Sequence, residues 1–158
     1  MVSDLLFVVL GIGLAVTIPG FMSALGVGMT GVAAAGATAE KPGEFSRMFV
    51  LEILPGTQGF YGFIAGILIM MGTGILGGAF GLPADVTGLV VLAAAVPAIL
   101  QGFTAYYQGK VATASVSAVS KTPETFGSCV IYTVMVETYA ILGFLTAFLL
   151  VYGLGIFG

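Results

Sequence analysis

Residues 134–144, VMVETYAILGF, place one acidic side chain, Glu137, inside a stretch that is otherwise apolar. Glu137 is also the only charged residue between positions 125 and 158. An apolar run of about 20 residues is long enough to cross the hydrocarbon core of a bilayer as a helix. Because a charged side chain at the bilayer centre costs about 2.5–3.5 kcal/mol on insertion scales, we expect Glu137 to have a function and a neutralising partner.

The composition of the whole chain is that of an all-α membrane protein. Of its 158 residues, 59% are hydrophobic and 7% are charged, and the mean hydropathy is +1.17. Uncharged runs predict four transmembrane helices at about 5–39, 44–80, 85–121 and 124–155. The first run is too long for a signal peptide and lacks the positive charge that should precede one. The sequence contains no histidine, which excludes imidazole catalysis, and one cysteine, which excludes an internal disulfide.

The four cations predict the orientation of these helices. Lys41 and Arg47 flank the first connection, and Lys110 and Lys121 precede the third, whereas the middle connection carries only Asp85. By the positive-inside rule, loops 1–2 and 3–4 are expected in the cytoplasm of a cell whose plasma membrane holds the protein. Both termini and loop 2–3 are then expected outside.

The chain repeats itself at an offset of 81 residues, which predicts two tandem parallel helical hairpins, at 1–81 and 82–158. The matching positions fall at equivalent points of the two hairpins: Gly28 and Gly109, Pro42 and Pro123, Phe45 and Phe126, Thr57 and Thr138, Gly62 and Gly143, Phe63 and Phe144. Gly56 takes the position of Glu137, so only the second hairpin has the carboxylate. Helices 1 and 3 are rich in Gly and Ala, while helices 2 and 4 are bulkier, as in a closed ring with crowded inner helices. Ordinary bundle packing is the alternative.

Polar side chains at the depth of Glu137 predict an ion site. Thr57, Gln58 and Tyr61 share one face of helix 2, and Gln108 on helix 3 can reach the same level. Pro55 disturbs the preceding turn and can free the main-chain carbonyl of Leu54. One carboxylate among uncharged oxygens suits a hard monovalent cation, Na⁺, with a proton on Glu137 as the alternative.

Each polar residue also has a structural interpretation, since buried Gln and Thr side chains often only bond neighbouring helices. Glu52 and Lys110 should lie on the cytoplasmic side of the site, where we expect a partial ion pair between them. Alternatively, Glu52 extends toward Arg47. Neither residue is assigned to the ion site.

Three motifs, LPGTQGFYGF (54–63), QGKVA (108–112) and VMVETYAILGF (134–144), resemble the proteolipid K or c subunit of V-type and A/V-type ATPases, in the sodium-translocating bacterial branch. The resemblance covers almost the whole chain. It implies a rotor-ring subunit that carries Na⁺, or H⁺ in other branches, driven by ATP hydrolysis on a soluble head. It also implies that Glu137, Gln108, Gln58, Thr57 and the Leu54 carbonyl bind the ion, and that Tyr61 hydrogen-bonds the carboxylate.

The partners implied by the resemblance are identical subunits in a ring, a membrane stator subunit with an arginine, a central-stalk subunit at the cytoplasmic loops, and lipid. No nucleic-acid partner is expected, and the chain itself should catalyse no covalent step. A small dimeric secondary transporter that uses Glu137 as a proton relay is a second interpretation, and a structural assembly protein is a third. A ring should migrate as a large, detergent-resistant oligomer, which the dimer would not.

Overall fold

The computed structural model describes residues 2–157, and none of them is in a β-strand. Six α-helices follow one another along this part of the chain: α1 (Val2–Glu40), α2 (Phe45–Ile53), α3 (Thr57–Gly72), α4 (Gly88–Gln101), α5 (Thr104–Lys121) and α6 (Phe126–Gly153). Short 3₁₀ turns at Pro42–Glu44, Leu54–Gly56, Ile75–Gly77 and Pro123–Thr125 join or interrupt them. Together they form four spans long and apolar enough to cross a membrane: Val2–Glu40, Pro42–Gly72, Gly88–Lys121 and Pro123–Gly153.

The predicted four-helix membrane fold is therefore confirmed, and the largest change to the element bounds is at the end of the second span. The second span ends at Gly72, whereas the sequence predicted a helix to residue 80. Gly74 and Gly78 adopt left-handed conformations, with φ of 70° and 72°, and the turn at Ile75–Gly77 lies between them. Left-handed glycine is a common way to end a helix, and it does so here although the segment stays apolar. The third span begins at Gly88 instead of 85.

Helix α1 is the element around which the others pack, and it does so through small side chains. It contacts α3, α4 and α5 over most of its length. Its buried positions recur every three or four residues, which is the period of one helix face: Val8, Gly11, Ala15, Pro19, Ser23, Gly26, Thr30, Ala34 and Ala37. Small residues on this face let neighbouring backbones come close, as helices in lipid require.

The closest approaches occur where glycine faces a neighbouring backbone. A Cβ atom on Gly109 would lie 2.5 Å from Cα of Gly26, and one on Gly26 would lie 2.5 Å from the carbonyl oxygen of Ala105. Real Cβ atoms do not come this close, so α1 and α5 can cross here only through glycine. At the other end of the molecule, Gly88 packs on the main chain of Asp4 and donates its N–H to Asp4 Oδ1 at 3.0 Å.

Two spans are irregular next to the polar residues of the candidate site. Pro55 interrupts the second span, where Leu54–Gly56 forms a 3₁₀ turn between α2 and α3. The third span breaks at residues 102–103, where Gly102 and Phe103 bond back three residues instead of four. Both breaks flank the segment in which the candidate site lies.

Candidate ion-binding site

Glu137 lies half-buried on α6, and both of its carboxylate oxygens accept hydrogen bonds from other helices. The Tyr61 hydroxyl on α3 donates to Oε1 at 2.6 Å, and the Gln108 amide on α5 donates to Oε2 at 3.4 Å. The Tyr61 ring stacks on Phe144, with 5.6 Å between the ring centroids, and this contact fixes the direction of the hydroxyl. The only carboxylate of α6 is therefore held by donors from two neighbouring spans.

The 3₁₀ turn before α3 supplies the second group of oxygens. The Thr57 hydroxyl donates to the Leu54 carbonyl at 3.0 Å and lies 3.3 Å from Gln58 Oε1. Two neutral oxygens that share a hard cation at right angles, each about 2.3–2.6 Å from it, would lie about 3.3–3.7 Å apart. The spacings around Thr57 are close to this range, so small side-chain movements would suffice to admit an ion.

Two glutamines connect this group to the carboxylate. Gln58 and Gln108 are both fully buried, and Gln58 Nε2 donates to Gln108 Oε1 at 2.5 Å. Gln108 Nε2 also donates to the Thr133 carbonyl at 3.2 Å, in addition to Glu137. All six residues named from the sequence thus belong to one hydrogen-bonded cluster: Leu54, Thr57, Gln58, Tyr61, Gln108 and Glu137.

Gln101 is a buried polar residue next to this cluster that the sequence analysis did not single out. Its Nε2 donates to the Gln58 carbonyl at 3.0 Å and to the Ala98 carbonyl at 3.1 Å. Because two carbonyls face the nitrogen, the amide cannot turn over, and Oε1 stays buried without a partner among residues 2–157. Gln101 thereby ties α4 to the backbone of a site residue. In the sequence, Gln101 lies seven residues, about two helical turns, before Gln108, and this spacing could have indicated that the two amides lie on the same side of the third span.

The expected pair between Glu52 and Lys110 is wrong for this chain, and so is the alternative pairing of Glu52 with Arg47. Arg47 instead pairs with Glu44, at 2.6 Å. Glu44 ends the 3₁₀ turn that leads into α2 and is three residues from Arg47, close enough for the two side chains to meet. Glu52 is five residues from Arg47 and lies on another side of α2. Lys110 Nζ lies 4.8 Å from the centroid of the Tyr106 ring.

Glu52 extends toward α1, where a Cβ on Gly31 would lie 2.8 Å from its Oε1. Within the described part of the chain, no three His, Cys, Asp or Glu side chains are close enough together to hold a metal ion. The cluster around Glu137 therefore offers a single negative charge and several neutral oxygens. Such a donor set suits one small monovalent cation better than a divalent or soft one.

Comparison with known proteins gives the same family for both halves of the chain. The family model for the C subunit of ATP synthase matches residues 10–69 and again residues 87–150. The V-type sodium ATPase subunit K of Enterococcus hirae is 44% identical over 150 residues, which cover 94% of this chain and 92% of that protein. The A-type ATP synthase subunit K of Methanocaldococcus jannaschii is 39% identical over 153 residues, which cover 97% of this chain and 65% of that protein.

Proposed function

Since the chain belongs to the ATP synthase C-subunit family, whose members form homo-oligomeric rings, we propose that it carries Na⁺ across the membrane in the rotor ring of a V-type ATPase. Each chain would hold one ion at Glu137. The observation that carries this proposal is the chain of hydrogen bonds that links four neutral oxygen-bearing residues, through Gln108, to the one carboxylate of α6. The similarity to a sodium ATPase subunit supports the choice of ion.

In the proposed site, Glu137 supplies the compensating charge, and Leu54, Thr57, Gln58 and Gln108 supply neutral oxygens. Gln58 Oε1 already lies beside the Thr57 hydroxyl, whereas Gln108 Oε1 accepts a hydrogen bond from Gln58 Nε2. For Gln108 Oε1 to bind the ion, this amide hydrogen bond would have to open and be replaced by the bond to the cation.

The donors around Glu137 favour Na⁺ over a proton. Both carboxylate oxygens accept hydrogen bonds, from Tyr61 and from Gln108. A protonated carboxyl would itself need an acceptor for its new O–H group, so either the Tyr61 hydroxyl would have to turn from donor to acceptor or the Gln108 amide would have to turn over. With Na⁺ bound, the site is neutral and can face lipid during rotation, which a bare carboxylate could do only at a large desolvation penalty.

The remaining parts of the machine are supplied by partners. A stator subunit with an arginine would displace the ion as each site arrives, because an arriving positive charge competes with Na⁺ for Glu137. A central stalk would bind the turns at Pro42–Glu44 and Pro123–Thr125. They lie at the same end of the molecule, where the Lys41 ammonium beside the first turn donates to the Ser120 carbonyl near the second. We place these turns in the cytoplasm and the protein in the plasma membrane, in accord with Lys41 and Arg47 beside the first turn and Lys121 beside the second.

Carbodiimide labelling of Glu137 in the purified ring tests the choice of ion. If Na⁺ occupies the site, added NaCl should slow the labelling at constant neutral pH, whereas an equal concentration of a bulky organic cation should not. Choline chloride at matched ionic strength is the control. If labelling responds to pH alone and not to Na⁺, the ring transports protons.

A further inference from the structure

We propose that α5 of one chain packs against α1 of the next chain in the ring, in the register of the α1–α5 crossing inside each chain, with Val111 of one chain against Val32 of the next. In the same contact, Tyr107 of the first chain covers Gly28 of the next. The exposed face that carries Val32 and Gly28 is thus covered by α5 of a second copy of the chain. The inference rests on ring assembly, which is part of the proposed function, and does not depend on which ion is transported.

The first observation is the crossing inside one chain, where α1 of the first hairpin meets α5 of the second. Gly26 and Gly109 meet backbone to backbone. One turn further along, the Thr30 hydroxyl donates to the Gly109 carbonyl at 3.2 Å and lies 3.5 Å from the Thr113 hydroxyl. The pairs that define this register are therefore 26 with 109, 30 with 109 and 30 with 113.

The second observation is that the two hairpins have the same backbone at this end of the molecule. Lys41 has φ −136° and ψ 78°, and Thr122, 81 residues later, has φ −137° and ψ 81°. Phe45 and Phe126, which begin the next helices, also agree, at φ −47° and −52° with ψ −48° in both. The offset of 81 is therefore a structural equivalence here and not only a sequence match.

Beyond the break at residues 102–103 the equivalence shifts by one residue. Gly62 packs on Ala15 and Pro19, whereas its counterpart Gly143 packs on Pro97 and Gln101. Both contacts of Gly143 lie 82 positions after those of Gly62. The register is therefore derived only from the half of the molecule that contains the two proline turns, where the offset is 81.

In a closed ring of like hairpins, the second hairpin of one chain meets the first hairpin of the next as the two hairpins meet within a chain. Each contact inside the chain then predicts a contact between chains. The number of the α1 residue is raised by 81 to give a residue on α5 of one chain, and the number of the α5 residue is lowered by 81 to give a residue on α1 of the next. Thr30 with Thr113 becomes Val111 with Val32. Gly26 with Gly109 becomes Tyr107 with Gly28.

The exposure of these residues in the single chain agrees with this register. Val32 is 79% exposed and Tyr107 is 62% exposed, although both lie within spans. A Cβ on Gly28 would meet nothing within 4 Å, in contrast to the crowded Gly109 at the equivalent position. Tyr107 stands where Gly26 stands inside the chain, so the two helices lie farther apart between chains than at the glycine crossing, in the same register. The pair of hydroxyls on Thr30 and Thr113 within the chain is matched by an apolar pair of valines between chains.

Disulfide cross-linking tests the register. In a Cys129→Ala background, Val32→Cys combined with Val111→Cys should give, on mild oxidation, a ladder of covalent oligomers on a non-reducing gel. Either single cysteine variant should give monomer only. Val32→Cys with Ala118→Cys is the matched control, because residue 118 lies on the same side of α5 but about 10.5 Å further along the helix. A disulfide needs Cα atoms within about 7 Å, so this pair should not cross-link.

Native mass measurement separates the possible failures. A ring of the expected mass without a ladder, or with an equal ladder in the control pair, overturns the register and leaves ring assembly intact. Loss of the ring in the unmodified protein overturns assembly itself. If the double variant does not assemble, the structure of the unmodified ring decides: Val111 and Val32 of adjacent chains should have heavy atoms within about 4.5 Å, and a larger separation overturns the inference.

Discussion

Tyr61→Phe removes a single oxygen atom from the proposed site and leaves the aromatic ring. The lost hydroxyl donates to Glu137 Oε1 at 2.6 Å, while the stacking on Phe144 involves only the ring. The hydroxyl already bonds the carboxylate when no ion is bound, so its effect on ion affinity comes from the way it orients Glu137. Removal of a group that orients a metal ligand typically lowers the affinity for the metal about 10- to 100-fold. We therefore expect the Na⁺ concentration that half-protects Glu137 from carbodiimide to rise about 10- to 100-fold.

The assay is the rate of carbodiimide labelling of Glu137 across a NaCl titration, followed by mass spectrometry of the ring subunit. Tyr139→Phe is the matched control, because Tyr139 lies two residues from Glu137 and is 66% exposed. It should titrate like the unmodified protein. The role given to the hydroxyl would be refuted if the ring of the Tyr61→Phe variant stays intact and its half-protecting Na⁺ concentration is within about twofold of that of the unmodified protein.

Three further changes test other parts of the structure. Glu137→Gln should abolish both carbodiimide labelling and Na⁺ uptake into vesicles driven by ATP, and retained sodium-coupled uptake would contradict the mechanism. Gln101→Leu should weaken the protection of Glu137 by Na⁺ several-fold, with little change in the temperature at which the ring dissociates. The stability should change little because the lost hydrogen bonds to the Gln58 and Ala98 carbonyls are offset by removal of a buried oxygen that has no partner in the described part of the chain. A lower dissociation temperature with unchanged Na⁺ protection would instead make Gln101 a purely structural residue. Gly26→Ala should lower the dissociation temperature, since its Cβ would meet the Ala105 carbonyl at 2.5 Å, and overpacking of this kind costs about 1–3 kcal/mol; Gly127→Ala, which has open space around its Cβ, should have no effect.

Hydropathy and local chemistry were sufficient to predict the four spans, because the energy of burying an apolar helix in lipid depends on composition and length. They failed at residues 73–80, where the segment stays apolar but left-handed glycines end the helix. A hydropathy profile has the same value for a helix and for an apolar turn. The end of the second span is therefore decided by backbone conformation, which only the glycine pattern indicates.

The side chains of the candidate site were predictable because each carries an unusual polar group within an apolar span. Side-chain direction was harder to predict. Glu52 and Lys110 were placed at a common depth, but depth does not fix the face of the helix, and Lys110 lies over Tyr106 instead. Gln101 was missed for a related reason. Its amide reaches Gln58 from α4, and the direction of α4 depends on the break at residues 102–103, which the sequence does not indicate.

Gly56 occupies in the first hairpin the position that Glu137 occupies in the second, so a complete revolution of the proposed rotor moves half as many ions as there are hairpins. For the same ATP consumed per revolution, each ion then receives twice the work that it would if every hairpin carried an acid. Moving one charge against 100 mV takes about 2.3 kcal/mol, so the doubled share lets the rotor turn against about twice the voltage. The absence of an acid from the first hairpin thus lowers the number of ions moved per revolution and raises the ion gradient that the rotor can maintain.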